Sequence, residues 1–244
     1  MKLFFAINTI NKEIMKTALT IFLGFFALMA NAQNYIDIAR FSYGNTPLNT
    51  FENTSEKTKV EEFGLQFTFP IVLNEKTVVL TGISADRSRL KLDADFTNHT
   101  GLNKVRLQLG LNQVHSEEWT GTYVLLPSVA SDFETISKED FQIGLLTLFT
   151  YTKKANLKYK IGFYTDTENY GPLFVPLLGL YYLSPNQKFE STLLLPGQAD
   201  FNYQLAKKTA LGVNFDGMAS SYNLNNTIYT PKGQYVVRSS NELY

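Results

Sequence analysis

The chain has 244 residues, of which 22 are basic and 22 acidic, so its formal net charge is zero at pH 7. The two signs are interspersed, which argues against nucleic acid as a partner. Cysteine is absent, which excludes disulfides, thiolate metal ligands, a cysteine nucleophile and a lipid-modified cysteine. Phe and Tyr are abundant although the mean hydropathy is slightly negative, as expected when apolar and polar residues alternate along strands.

The N-terminal residues 1–32 have the pattern of a secretory signal peptide. The apolar run Ala18–Met29 follows two lysines, and the small residues Ala30 and Ala32 precede the predicted first mature residue, Gln33. Met15 is an alternative start, because the segment that follows it has the length of an ordinary signal. A membrane anchor is the competing interpretation, but the run is too short to cross about 30 Å of hydrocarbon comfortably. Export without cysteine suits a bacterial envelope protein.

Residues 33–244 are predicted to form one all-β domain. Apolar and polar residues alternate in Glu62–Phe69, Lys104–Asn112 and Leu157–Tyr164, and this period of two indicates strands with two unlike faces. Shorter or less regular strands are predicted at Tyr35–Tyr43, Thr77–Ser84, Thr120–Leu126, Gln142–Tyr151, Leu177–Leu183, Phe189–Leu195, Phe201–Leu205, Leu211–Phe215 and Gln234–Ser239. The total is about twelve strands, within a range of roughly ten to fourteen.

The predicted connections are of two kinds, short and long. The short ones lie at 73–76, 153–156, 184–187 and 206–208. The long ones lie at 44–58, 86–101, 131–140, 166–176 and 216–227. Short turns at one end and long polar loops at the other are typical of an antiparallel up-and-down transmembrane β-barrel. The segment Val236–Tyr244 ends on an aromatic residue but lacks apolar alternation, which leaves open a missing last strand and a truncated chain.

A membrane barrel and a soluble β-sandwich place alternating residues differently. The apolar set faces lipid in a barrel but faces a core in a sandwich. Ten residues are predicted to face lipid: Phe63, Leu65, Phe67, Val105, Leu107, Leu109, Leu111, Tyr159, Ile161 and Phe163. Five charged residues are predicted to face the lumen: Glu62, Lys104, Arg106, Lys158 and Lys160. Inward charges of this kind either fill a narrow lumen with ion pairs or favour anionic solutes in a wider one.

The alternating pattern of Val60–Pro70, Lys104–Asn112 and Gln142–Tyr151 is shared with the strands of membrane barrels. Through such segments, over essentially the whole mature region, the chain resembles an uncharacterised family of Gram-negative outer-membrane β-barrel proteins. The resemblance rests on the pattern of alternation and includes no signature motif. It therefore implies a fold and a location but no catalytic residue. Its implied location is the bacterial outer membrane, with outer-membrane lipid and the barrel-assembly machinery as partners.

The sequence offers few candidate chemical groups. His99 lies in a predicted loop near Asp93 and Asp95, where a base and carboxylates could serve catalysis, although a solvated loop histidine is the ordinary alternative. The same two aspartates, with Asp86, could present carboxylates to calcium, but the glycine and closing glutamate of a calcium loop are absent. Phosphate loops, nucleophile elbows and histidine metal motifs are also absent, so no cofactor is predicted.

We therefore expect a non-enzymatic outer-membrane protein with a structural, surface-interaction or small-pore role. One alternative is a barrel-borne hydrolase or acyltransferase with its site at the loop rim around His99. Another is a soluble periplasmic β-domain that binds an apolar ligand. That alternative requires the apolar stripes of Lys104–Asn112 and Leu157–Phe163 to point into a shared core. The sequence identifies neither a transported solute nor a ligand.

Overall fold

The computed structural model describes residues 38–46, 49–50, 55, 57–91, 99–206, 209–225 and 235–243. The predicted signal peptide lies outside them. The strands are β1 (Ala39–Asn45), β2 (Asn49–Thr50), β3 (Lys57–Thr58), β4 (Glu61–Asn74), β5 (Thr77–Leu90), β6 (Thr100–Val114), β7 (Trp119–Ser131), β8 (Phe141–Lys154), β9 (Leu157–Glu168), β10 (Gly171–Leu183), β11 (Phe189–Leu195), β12 (Gln198–Ala206), β13 (Thr209–Asn223) and β14 (Tyr235–Leu243). A short 3₁₀ helix spans Lys138–Asp140. Within these ranges, no helix has the length and apolar character needed to cross a membrane.

Twelve of the described strands form one antiparallel sheet. Its order is β1-β4-β5-β6-β7-β8-β9-β10-β11-β12-β13-β14, so each strand pairs with the next one along the chain, while β2 and β3 pair separately. The period of two along the strands gives each of them one apolar and one polar side. The predicted all-β class and up-and-down topology are confirmed.

The predicted closure into a barrel is not found among the described strands. There, β1 and β14 lie at opposite edges of the sheet and do not pair with each other. The end of β13 instead forms a parallel bridge to β7, between Asn223 and Ser131. β14 follows β13 onto the concave side of the curled sheet, where the Arg238 guanidinium pairs with Glu62 of β4. Through the Arg238–Glu62 pair, β14 approaches β4 without forming a ladder with β1.

Two connections that were predicted to be long consist largely of strand. β9 continues to Glu168 and β10 begins at Gly171, so two residues connect them in place of the predicted loop 166–176. β13 continues to Asn223, so most of the predicted loop 216–227 is also strand. At the C-terminus, where a missing strand was left open, the described residues form β14 against β13.

The two faces of the curled sheet differ sharply in chemistry. Large apolar side chains are exposed on the convex face, as at Leu178 (63% exposed) and Leu211 (64% exposed). Among the described residues, 13 polar or charged side chains are buried, against six apolar ones. A sheet in water usually buries its apolar face and exposes its polar one. Here that arrangement is reversed.

A small apolar cluster anchors the end of β13 inside the curl. Its buried members are Leu102, Ala130, Tyr222 and Leu224. They come from β6, from β7 and from the last part of β13 with the residue that follows it. The cluster therefore fixes β13 against the concave face of the sheet.

Candidate functional site

A group of ionic side chains, here called the inner charge cluster, lies on the concave face of β5, β6 and β9. Its members are Asp86, Lys104, Arg106, Tyr164 and Asp166. Arg106 Nη2 lies 3.5 Å from Asp166 Oδ2, and the Tyr164 hydroxyl donates a 2.5 Å hydrogen bond to the same oxygen. Asp86 lies opposite Lys104 in the ladder between β5 and β6. Side chains two residues apart share a face of a strand, which brings these groups into the interior together.

Burial determines what this cluster can do. The Asp166 side chain is fully enclosed, whereas the Arg106 side chain is 27% exposed. A buried carboxylate is tolerated when a cation and hydrogen-bond donors surround it. In the described structure, Asp166 Oδ1 and Arg106 Nε have no hydrogen-bond partner. The charges of Arg106 and Asp166 are therefore paired, but not all of their polar atoms have hydrogen-bond partners.

A second group, here called the rim network, joins β8, β9 and β13 at the ends of these strands. The Ser221 hydroxyl and backbone N–H both donate to Glu168 Oε2, at 2.5 and 2.7 Å. Gln142 Nε2 donates to the Ser221 carbonyl oxygen at 3.0 Å and to its Oγ at 3.2 Å. The backbone N–H of Asn169 donates to Ser221 Oγ at 2.7 Å. Ser221 is thus held by partners on two other strands and on the turn after β9.

The loop between β7 and β8 extends the rim network. Asn223 Nδ2 donates to Asp140 Oδ1 at 2.7 Å, and Asn225 Nδ2 donates to the same oxygen at 3.1 Å. The Ser137 backbone N–H donates to the other Asp140 oxygen at 2.6 Å. The fully buried Asp140 carboxylate therefore ties the loop to the end of β13.

Tyr170 and Glu139 lie outside the strands at this rim, and the pKa values of both are shifted. Burial, and then the nearby Glu168 carboxylate, raise the pKa of Tyr170 in the β9–β10 turn. A hydrogen bond from its own backbone, and then one from Ser137, lower the pKa of Glu139. Both residues therefore keep their ordinary charge states at neutral pH.

Residues 28–241 match a family described as a domain of unknown function, DUF6268. The chain belongs to the DUF6268 family. No curated protein matches the chain. The predicted membership of an uncharacterised family is confirmed, and the outer-membrane location of that family stays a prediction.

The five charges predicted to face a lumen share the concave face of the DUF6268 sheet. Glu62 pairs with Arg238, and Arg106 pairs with Asp166. Lys104 Nζ donates to Ser220 Oγ at 3.2 Å. The other two lysines lie on the same face of β9 as Asp166, and Lys158 Nζ is 5.5 Å from the centre of the Tyr181 ring. Lys158 and Lys160 are half-buried.

The ten residues predicted to face lipid lie on the convex face. Six of them are exposed: Phe63, Leu107, Leu109, Leu111, Tyr159 and Ile161. The other four are half-buried: Leu65, Phe67, Val105 and Phe163. Not one of the ten is buried, so a shared apolar core does not form around the stripes of β6 and β9.

The two histidines lie apart from the inner charge cluster. His99 is exposed just before β6, while its predicted neighbours Asp93 and Asp95 lie outside the described residues. His115 Nε2 lies 3.1 Å from the Tyr123 hydroxyl in the turn region between β6 and β7. The described part of the chain holds no group of three or more His, Asp or Glu side chains that could bind a metal.

The sequence analysis missed the acidic half of the inner face. Asp166 and Glu168 were assigned to a loop, and Gln142 and Ser221 were not singled out. The sequence did contain one indication that β9 is longer. Asp166 and Glu168 lie an even number of positions after Lys158 and Lys160, so they continue the polar face of the same strand. No local pattern marks Ser221, whose partner Gln142 is 79 residues away.

Gly162 lets β8 and β9 approach closely beside the inner charge cluster. A Cβ atom there would contact the Thr147 carbonyl oxygen and lie 2.9 Å from Leu148 Cα, and both are backbone atoms of β8. We predict that Gly162→Ala lowers the free energy of unfolding, measured by urea denaturation, by about 1–3 kcal/mol. Gly197→Ala is the matched control, because its Cβ would meet nothing nearer than 3.8 Å. Equal losses in the two variants would contradict this close approach.

Proposed function

We propose that this DUF6268 chain is a non-enzymatic outer-membrane β-barrel protein whose convex face contacts lipid. Outer-membrane lipid and the barrel-assembly machinery are then its partners. Because ion pairs and hydrogen bonds fill the concave face, its resting role is structural or that of a closed pore.

The reversed distribution of side chains carries this proposal. Leu109, Ile161 and Leu178 are 49%, 54% and 63% exposed, whereas Asp166 and Gln142 are each 1% exposed. Monomeric soluble proteins rarely expose extended apolar surfaces, but the lipid-facing side of a membrane barrel consists of such residues. The polar side chains then line the interior.

Strand length and number also support a membrane-spanning arrangement. β4, β5, β6, β8 and β13 have 14 or 15 residues each, and a tilted transmembrane strand needs about 9–11. The sheet has twelve strands, and bacterial membrane barrels have even strand numbers. Closure would require β1 and β14 to pair, which would satisfy the edge hydrogen bonds that hydrocarbon leaves unmet.

The proposal is tested by fractionating cells that express the full chain and by comparing unheated with boiled samples on SDS gels. We expect the protein in the outer membrane, with a faster-migrating unheated band that disappears on boiling. A soluble periplasmic marker and a resident outer-membrane porin calibrate the fractions. Recovery in the soluble envelope fraction, without a mobility shift, would contradict the proposal.

A further inference from the structure

Residues 220–224 comprise the last four residues of β13 and the residue that follows, and this segment is enclosed on both sides. Ser221, Tyr222, Asn223 and Leu224 are 0%, 5%, 7% and 4% exposed. Successive side chains of a strand point to opposite faces, so a strand in the wall of a sheet with one exposed face alternates between buried and exposed. Four consecutive buried residues indicate that this segment lies within the curl.

The even-numbered residues of this segment contact β6 and β7. Ser220 accepts a 3.2 Å hydrogen bond from Lys104 Nζ of β6. Tyr222 and Leu224 pack in the apolar cluster with Leu102 and Ala130. The even-numbered side of the segment therefore packs against β6 and β7.

The odd-numbered residues contact the opposite side. Ser221 is bound by Gln142 of β8 and by Glu168 of β9. Asn223 is bound by Asp140 and bridges to Ser131 at the end of β7. The segment therefore lies between β6–β7 and β8–β9. Side chains bind it to these strands, and its backbone pairs with residues 235–238 of β14.

We infer that residues 220–224 are a plug that closes a path for small polar solutes through the curled sheet. The inference rests on the proposed outer-membrane function. Both signs of charge line this path, with the cations Lys104 and Arg106 near the carboxylates of Asp86, Asp166 and Glu168. Release of the plug therefore admits small ions of both signs.

The attachment of the plug to Glu168 can be removed by a single substitution, because this one carboxylate accepts two hydrogen bonds from Ser221. Glu168→Ala leaves both donors without their acceptor, and we expect the population of open channels to rise about tenfold or more. Glu168→Gln is the matched control, because its amide oxygen still accepts from Ser221. Potassium chloride conductance of the full-length protein in planar bilayers measures the difference.

A reversible cross-link separates plug movement from damage elsewhere. The chain is free of cysteine, and Ser131 and Asn223 are opposed in a β-bridge, at a separation that a disulfide can span. In a Glu168→Ala background, oxidised Ser131→Cys/Asn223→Cys protein should stop conducting, and reduction should restore the current. Gel mobility before and after boiling monitors folding of every variant.

Three results would overturn the plug while leaving the membrane proposal standing. They are wild-type conductance equal to that of Glu168→Ala, a heat-modifiable Glu168→Ala protein that does not conduct, and conductance that persists in the oxidised cross-linked protein. If Glu168→Ala does not fold, Ser221→Ala, which removes one of the two donors to Glu168, replaces it as the background for the cross-link, and a current that is equal in the reduced and oxidised proteins overturns the plug. A soluble wild-type protein without a heat shift contradicts the proposed function itself.

Discussion

Leu178→Arg is expected to prevent accumulation of the protein in the outer membrane. Leu178 lies near the middle of β10, beside Ile161 of β9, and is 63% exposed. An arginine facing lipid at the bilayer midplane costs about 2–4 kcal/mol, whereas a substitution at a water-exposed site usually changes stability by less than about 0.5 kcal/mol. The measurement is the amount of heat-modifiable protein in the outer-membrane fraction. Leu109→Arg in β6 should have the same effect.

Two controls isolate the effect of lipid in this experiment. Leu178→Phe keeps an apolar side chain at the same position and should assemble normally. Glu117→Arg places the same cation in the exposed turn before β7 and should also assemble. If Leu178→Arg assembles as well as these two variants, then water and not lipid covers the convex face.

The separation of apolar and polar residues onto two faces of each strand was accessible from the sequence, because it follows from local alternation. In Lys104–Asn112, every second residue is apolar, and a strand necessarily separates such residues onto two faces. The structure accordingly places Leu107 and Leu109 on the convex face and Arg106 on the concave one. The same reasoning correctly gave the all-β class and the order of neighbouring strands, since short turns join antiparallel partners.

The enclosed end of β13 was not accessible in this way. Ser221 and Asn223 are small polar residues whose sequence context resembles that of a loop. Their burial depends on partners such as Gln142 and Asp140, which are 79 and 83 residues away. Contacts at that separation leave no periodic trace in a single sequence. The prediction that the two edge strands close the sheet was based on the lengths of the turns. It therefore could not take into account the contacts that hold the end of β13 inside the sheet.

The length of β9 was underestimated for a more local reason. Gly171, Pro172 and Pro176 have the composition of a loop, and proline normally interrupts a sheet because it lacks an N–H donor. Here both prolines lie within β10, opposite Thr167 and Phe163 of β9. The paired strands therefore continue past the expected break and carry Asp166 and Glu168 onto the inner face.

Asp166→Ala is expected to cause the largest loss of stability among changes on the concave face. It removes the carboxylate that accepts from the Tyr164 hydroxyl at 2.5 Å and lies 3.5 Å from the Arg106 guanidinium. Removing one partner of a buried ion pair typically costs about 3–5 kcal/mol, and the partial exposure of Arg106 favours the lower end, about 3 kcal/mol. Urea unfolding of the protein in lipid vesicles measures this change.

Glu61→Ala provides the matched control for this loss, because Glu61 is also a carboxylate between cations. Its oxygens lie 3.6 Å from Lys59 Nζ and 3.9 Å from Arg89 Nη1, but its side chain is 43% exposed. Exposed pairs contribute about 0–1 kcal/mol, so this variant should unfold almost as the wild type does. The paired replacement Arg106→Met/Asp166→Leu should recover much of the loss, because it leaves no unpaired charge. If Asp166→Ala is as mild as Glu61→Ala, water already hydrates the inner charge cluster and the interior is an open lumen.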